Sequence, residues 1–275
     1  MISSLRRCGD LALYVTEEGR RGPLVILLHG FPDFSLAWRH QVPALVAAGY
    51  RVAVPDQRGY NLSDKPKGVA AYDLDRLAGD IIALAEACGE DRFDVVGHDW
   101  GASVAWWLAS NFPEHVGRAA MINAPHPAVW RDAMQNDPRQ KKLSAYVCVL
   151  GLPWLPEMIL RAKNFKALVT SIRSTKYPID DTMLGAYSRA WAQPGALTAM
   201  INWYRALLKR KFELPAPGSI ATPALVLWPP LRMASGKSVA WAKLITAATS
   251  AALATRIRAA GRSSKLARAT ARSSS

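Results

Sequence analysis

The 62 residues after Glu213 hold no aspartate, glutamate or histidine, although the whole chain of 275 carries 21 acids and five histidines. At that average, about six such residues would be expected there. Nine of the 35 basic residues fall in the same stretch, from Arg232 to Arg272, so the formal charge of +14 drops to +5 over residues 1–213. A basic tail of this kind is an electrostatic footprint and not a recognition motif, and no nucleic-acid partner is expected. Cysteine is scarce too. Cys8, Cys88 and Cys148 are odd in number and far apart, which excludes a disulfide framework and a cysteine-rich metal site. Apolar runs are short and broken by charges, so no membrane span is expected. Met1 to Arg7 lacks the apolar stretch of a secretory signal. These absences lead to the expectation of a soluble, cytoplasmic protein.

Half of the residues are apolar, enough for one large core with an inserted subdomain. The unbroken aliphatic run Leu24–Leu28 reads as a strand covered on both faces. A helix pattern over Ala37–Ala48 and a strand over Arg51–Pro55 follow. Leu77, Ile81, Leu84, Ala85 and Cys88 recur at helical spacing, with Asp73 or Asp75 placed to cap them. Asp94–Val96 and Ala119–Ile122 read as further strands around a helix that starts at Trp100 and ends before Pro113. Such alternation specifies a mostly parallel sheet with right-handed crossovers, an α/β fold. From Pro127 to Pro217 the pattern is helical only, and Ala224–Trp228 returns to strand. The expected division is a core over 1–126, a helical cap over 127–217, a core strand over 218–228 and a basic Ala/Ser/Arg-rich tail over 229–275.

The chemistry concentrates at Gly97-His98-Asp99-Trp100-Gly101, between a strand and a helix. Two glycines remove the Cβ atoms that would clash in a sharp turn, and the middle residue takes a strained, exposed position. This is a nucleophile elbow with aspartate in the usual serine position. The helix beneath it favours an ionised Asp99 and supplies the backbone N–H of Trp100. His29-Gly30-Phe31-Pro32, directly after a strand, offers a second N–H at Phe31, so Phe31 and Trp100 together make a candidate oxyanion hole.

These two motifs, the run Asp56-Gln57-Arg58-Gly59-Tyr60-Asn61-Leu62-Ser63-Asp64-Lys65-Pro66, and Asn123-Ala124-Pro125-His126-Pro127 occur in order. The combination resembles the epoxide hydrolases of the α/β-hydrolase fold, from about residue 10 to Trp228. The resemblance implies a small-molecule epoxide and water as reactants and no cofactor. It further implies two cap tyrosines that hold and protonate the oxirane oxygen. Tyr204, in Asn202-Trp203-Tyr204-Arg205, matches one of them, and Tyr146 the other. His29, Pro32 and Trp100 are the expected substrate-binding set. Asp99 would open the ring to an alkyl ester, which activated water would then hydrolyse to a vicinal diol.

The family pattern also needs an acid after the strand near Trp228 and a later histidine, and neither is present. The change in composition at Trp228-Pro229 is that of a shifted reading frame, which would replace the last strand and helix of the fold and leave the hydrolytic half-reaction impaired. Within the tail, Val239–Ala260 has helical propensity with a modest apolar face. Two other readings remain: a haloalkane or haloacetate dehalogenase, which also uses an elbow aspartate, and a non-catalytic, degenerate family member. Against the haloacetate branch, Trp100 stands where an arginine is expected.

Overall fold

The computed structural model describes residues 1–173, 179–209 and 220–228. Seven strands form one sheet in the order β1-β2-β4-β3-β5-β6-β7. They are β1 (Ile2–Cys8), β2 (Leu11–Glu18), β3 (Leu24–Leu28), β4 (Arg51–Asp56), β5 (Phe93–His98), β6 (Val116–Ile122) and β7 (Ala224–Leu227). β1 and β2 form an antiparallel hairpin, and β2 also pairs antiparallel with β4. All other pairings are parallel. The fold is thus the expected α/β-hydrolase architecture, with a hairpin edge that the alternation from Leu24 onwards does not include.

β3 sits at the centre because every one of its residues is buried. Its side chains alternate between two core layers, as the strand period demands. Ile26 and Leu28 join one cluster with α2 (Leu74–Ala87) and α3 (Trp100–Asn111). Val25 and Leu27 join another with Trp38, Val42 and Leu45. The expected helix over Ala37–Ala48 is divided into a 3-10 turn at Ser35–Trp38 and α1 at Gln41–Ala47. Asp73 caps α2, accepting a hydrogen bond from the Asp75 amide.

Between β6 and β7 the described residues form helices: α4 (Pro127–Asn136), α5 (Pro138–Leu143), α6 (Ala145–Gly151), α7 (Leu155–Arg173), α8 (Asp181–Ala192) and α9 (Ala196–Lys209). α7 is interrupted at Ala162–Phe165, where three successive residues have positive φ. Indole and phenol groups fasten this helical segment to the loops beyond the carboxyl ends of β3 and β4. Trp191 Nε1 donates to Pro32 O (2.7 Å), Trp203 Nε1 to Arg58 O (3.1 Å) and the Tyr187 hydroxyl to Asp33 Oδ1 (2.7 Å). Arg58 is itself held by Asp80 of α2 through a buried two-pronged ion pair, at 2.7 and 2.5 Å. Among the described residues no single helix is long and apolar enough to cross a membrane. α6 and α7 together reach that length and apolarity, but a 101° bend separates them. The expected tail helix over Val239–Ala260, and the replacement of the last strand and helix, lie outside the described residues.

Candidate active site

The chain leaves β5 through Asp99, whose backbone stands at φ 55° and ψ −119°, and enters α3 at once. Few side chains tolerate that conformation, so its presence marks a turn held by its surroundings. A Cβ on Gly97 would collide with the Gly101 carbonyl, and one on Gly101 with the Leu28 carbonyl. The elbow therefore closes against β3 only with glycine at both places. Gly30 answers the same constraint from the facing loop, since a Cβ there would strike the Asp99 side chain.

This close approach brings the Phe31 amide to Asp99 Oδ1 at 2.9 Å, and the Trp100 amide also donates to the carboxylate. Burial pushes the Asp99 carboxyl up to about 6; the two amides act against that shift, and the carboxylate of Asp33 adds to it. Held in this way, Oδ1 faces the Phe31 amide. The Phe31-Pro32 peptide that follows is cis.

Tyr204, on α9, is buried with its ring edge-on to Trp100 (5.1 Å between centroids) and to Phe31 (5.4 Å). Burial raises its hydroxyl pKa, and the nearby Asp99 charge raises it further. Tyr146, on α6, lies 6.2 Å from the Tyr204 ring and is half exposed. Its hydroxyl is raised by the same two causes. Two neutral phenols and one carboxylate thus meet at the junction of β5 and the helical segment.

His29 and Pro32, expected as substrate contacts, both bond to other parts of the chain. His29 is fully buried, with Nδ1 on Gly30 O (3.0 Å) and Nε2 accepting from the Gln57 amide (3.0 Å). Burial lowers it to about 4, so it is a neutral stitch between the loops after β3 and β4. Pro32 offers its carbonyl to Trp191. The other histidines differ in how far they are engaged, and His126 keeps a buried Nε2 without a hydrogen-bond partner. His98 is buried and lowered to about 3 by burial, with His29 adding to the effect. His126 caps α4, its Nδ1 accepting from the Ala128 amide (3.2 Å). His40 is exposed, and His115 pairs with Asp91 O (3.0 Å).

Asp33 and Tyr60, both near enough to couple with the Asp99 charge, and Tyr187, bonded to Asp33, were not among the expected site residues. Asp33 accepts the Tyr187 hydroxyl bond, and burial pushes its carboxyl up to about 6. Tyr60 is buried with no hydrogen-bond partner for its hydroxyl, and the charges of Asp99 and Asp33 raise it beyond what burial alone does. The signals were present, since Asp33 directly follows the His29–Pro32 motif and Tyr60 lies inside the Asp56–Pro66 run. Tyr187 carried none, because 154 residues separate it from Asp33. Among the described residues, no group of three or more His, Cys, Asp or Glu side chains is arranged to hold a metal.

Comparison with known proteins gives the same family. A profile of the alpha/beta hydrolase fold matches residues 23–150. An AB hydrolase superfamily protein of Bacillus subtilis is 46% identical over 224 residues, covering 79% of this chain and 77% of that protein. Epoxide hydrolase 4 of Mus musculus is 35% identical over 229 residues, covering 79% of this chain; the chain spans 62% of the mouse protein's length. The crystal structure of a Bacillus megaterium epoxide hydrolase with an inhibitor superposes at a TM-score of 0.73 and 29% identity, over 82% of each chain. On this sheet order, this elbow and these relatives, the chain belongs to the epoxide hydrolase family of the α/β-hydrolase fold.

Proposed function

We propose that Asp99 opens an epoxide as a carboxylate nucleophile and that residues 127–217 form the cap over it. The observation that carries this reading is the Asp99 carboxylate, held at Oδ1 by the Phe31 amide and bonded also by the Trp100 amide, with the phenols of Tyr204 and Tyr146 close enough to feel its charge. The oxygen not held by Phe31 attacks a ring carbon, and the C–O bond of the oxirane breaks. The departing alkoxide takes a proton from a phenol, Tyr204 or Tyr146. An alkyl ester of Asp99 with a neighbouring hydroxyl results.

Completing the reaction requires water at the ester carbonyl carbon. Negative charge would then gather on the oxygen held by the Phe31 amide, with the Trp100 amide beside it, which favours this step. What the sequence lacks is the late histidine that the family pattern supplies as the base for the water. All five histidines precede Pro127, and His29 keeps both ring nitrogens on backbone partners. The reading is therefore an epoxide-opening protein whose ester persists. His29 serves by positioning the Gly30-Phe31 loop.

Intact-protein mass spectrometry after exposure to styrene oxide tests this. We expect the mass of one epoxide to be added, located on the Asp99 peptide, absent from Asp99→Asn, with little diol released. No adduct on folded protein would favour a non-catalytic relative. Sustained Asp99-dependent diol production would keep the nucleophile and refute the impaired second step. Halide release from a haloalkane without epoxide opening would favour the dehalogenase reading.

A further inference from the structure

Between Lys142 and Arg161 every exposed side chain is uncharged, and almost all are apolar. Leu143, Val149, Leu152, Trp154, Met158 and Ile159 stand out along α6, its junction with α7 and the start of α7, with Trp154 66% exposed. The one charged residue in that span, Glu157, is turned away onto Arg205 of α9 at 2.7 Å. Soluble surfaces rarely gather so many large apolar side chains without a partner.

Basic residues border this patch on both sides in the sequence: Arg139, Lys141 and Lys142 before it, Arg161, Lys163 and Lys166 after it, all exposed. The acids nearest in sequence are engaged elsewhere. Asp132 accepts from Asn136, and Asp137 caps α5. An apolar centre with a positive border calls for an occupant that is greasy and anionic. The chain's own residues 229–275 do not fit, because their nine charges are all positive. A second copy would set the same positive borders against each other. Trp154 sits at the tip of the turn Leu152-Pro153-Trp154-Leu155, where it protrudes instead of lining a groove. That is the placement of an interfacial anchor, and tryptophan is suited to the boundary between headgroups and acyl chains.

We infer that the α6–α7 corner is a docking surface for an anionic lipid bilayer, with Trp154, Met158 and Ile159 entering the interface and the flanking lysines and arginines meeting the headgroups. Tyr146 lies on the same helix as Val149, so a docked molecule would hold the candidate site near the lipid surface. The docking itself does not depend on the epoxide reading.

The test is flotation of the full chain with vesicles of phosphatidylcholine alone or mixed with phosphatidylglycerol. A second readout is an environment-sensitive fluorophore on Cys148, the exposed thiol within the patch. Binding is expected to the mixed vesicles only, to weaken as salt is raised, and to shift the probe emission to the blue. Trp154→Ser with Met158→Ser should weaken binding by about tenfold or more. Lys141→Glu with Lys142→Glu should do the same through charge, at roughly a fivefold loss per cation removed. Circular dichroism verifies that each surface variant is folded. The inference is overturned if the Trp154/Met158 variant floats like the parent, which would assign binding to the basic tail. A probe that responds equally to soluble polyglutamate, or is buried by concentration-dependent dimerisation in sedimentation, overturns it as well. None of these readouts involves epoxide chemistry, so failure here leaves the proposed reaction standing, and the reverse holds too.

Discussion

Replacing Asp99 by asparagine should make the protein more stable, by an amount that depends on pH in a defined way. Burial and the neighbouring Asp33 hold the folded carboxyl at about 6, against 3.8 for the free group. A carboxyl raised on folding binds its proton more tightly in the native state, so ionisation opposes folding. The sign follows directly. Below about pH 4 both states are protonated and the penalty is absent; it grows between 4 and 6 and is complete above about pH 7. A difference of about two pKa units corresponds to about 3 kcal/mol at neutral pH. Asparagine is of equal size, and its carbonyl can still accept from the Phe31 amide, so most of this penalty should be relieved. The expected gain is about 2–3 kcal/mol at pH 8, shrinking through pH 5 and vanishing near pH 3.5. Urea unfolding of both proteins at these pH values, compared at equal slopes, measures it. No gain at pH 8, or a gain of the same size at pH 4, would refute the account of Asp99 as a carboxylate held at an electrostatic cost.

Other outcomes follow from the same contacts. Tyr204→Phe keeps the ring packing on Trp100 and Phe31 but removes the proton donor, so ester formation with styrene oxide should slow by about a hundredfold or more; an unchanged adduct rate would remove Tyr204 from the reaction. Asp80→Ala strands the buried Arg58 guanidinium and should cost roughly 3–5 kcal/mol in chemical denaturation, whereas a loss well below about 1 kcal/mol would mean that Arg58 finds water or another partner. Translating the source DNA in the other two frames beyond the codon for Trp228 should uncover a glycine-rich loop with an acid and a later Gly-His segment; their absence would end the reading-frame explanation of the tail.

The elbow was legible in the sequence because its geometry leaves few choices. A residue at φ 55° flanked by two backbones in contact needs glycine on either side, and Gly97 and Gly101 announce it. β3 was legible because burial on both faces leaves only aliphatic residues. The β1–β2 hairpin was less so. Its strands alternate polar and apolar residues, and Ser3, Ser4, Arg6 and Arg7 make the first of them look like a solvated lead-in. α1 was read too long because Ser35–Trp38 continues the apolar spacing while its backbone winds more tightly. The break in α7 at Ala162–Phe165 leaves no proline or glycine to betray it. His29 was expected as a substrate contact, and its bracing role emerges only when both ring nitrogens are traced to Gly30 and Gln57. Asp33 and Tyr187 became partners only through the packing of α8 over the loop after β3.

The way the helical segment is fastened bears on how such a protein can change. Two of the three hydrogen bonds described above run from indole N–H groups to main-chain carbonyls, those of Pro32 and Arg58. A main-chain acceptor is the same whatever side chain stands beside it. The loop residues that face a substrate can therefore drift without loosening the helices above them, provided that Trp191 and Trp203 stay. Selection for a new substrate would act on one set of residues and selection for attachment on another. That separation leaves the site free to diversify within a fixed frame.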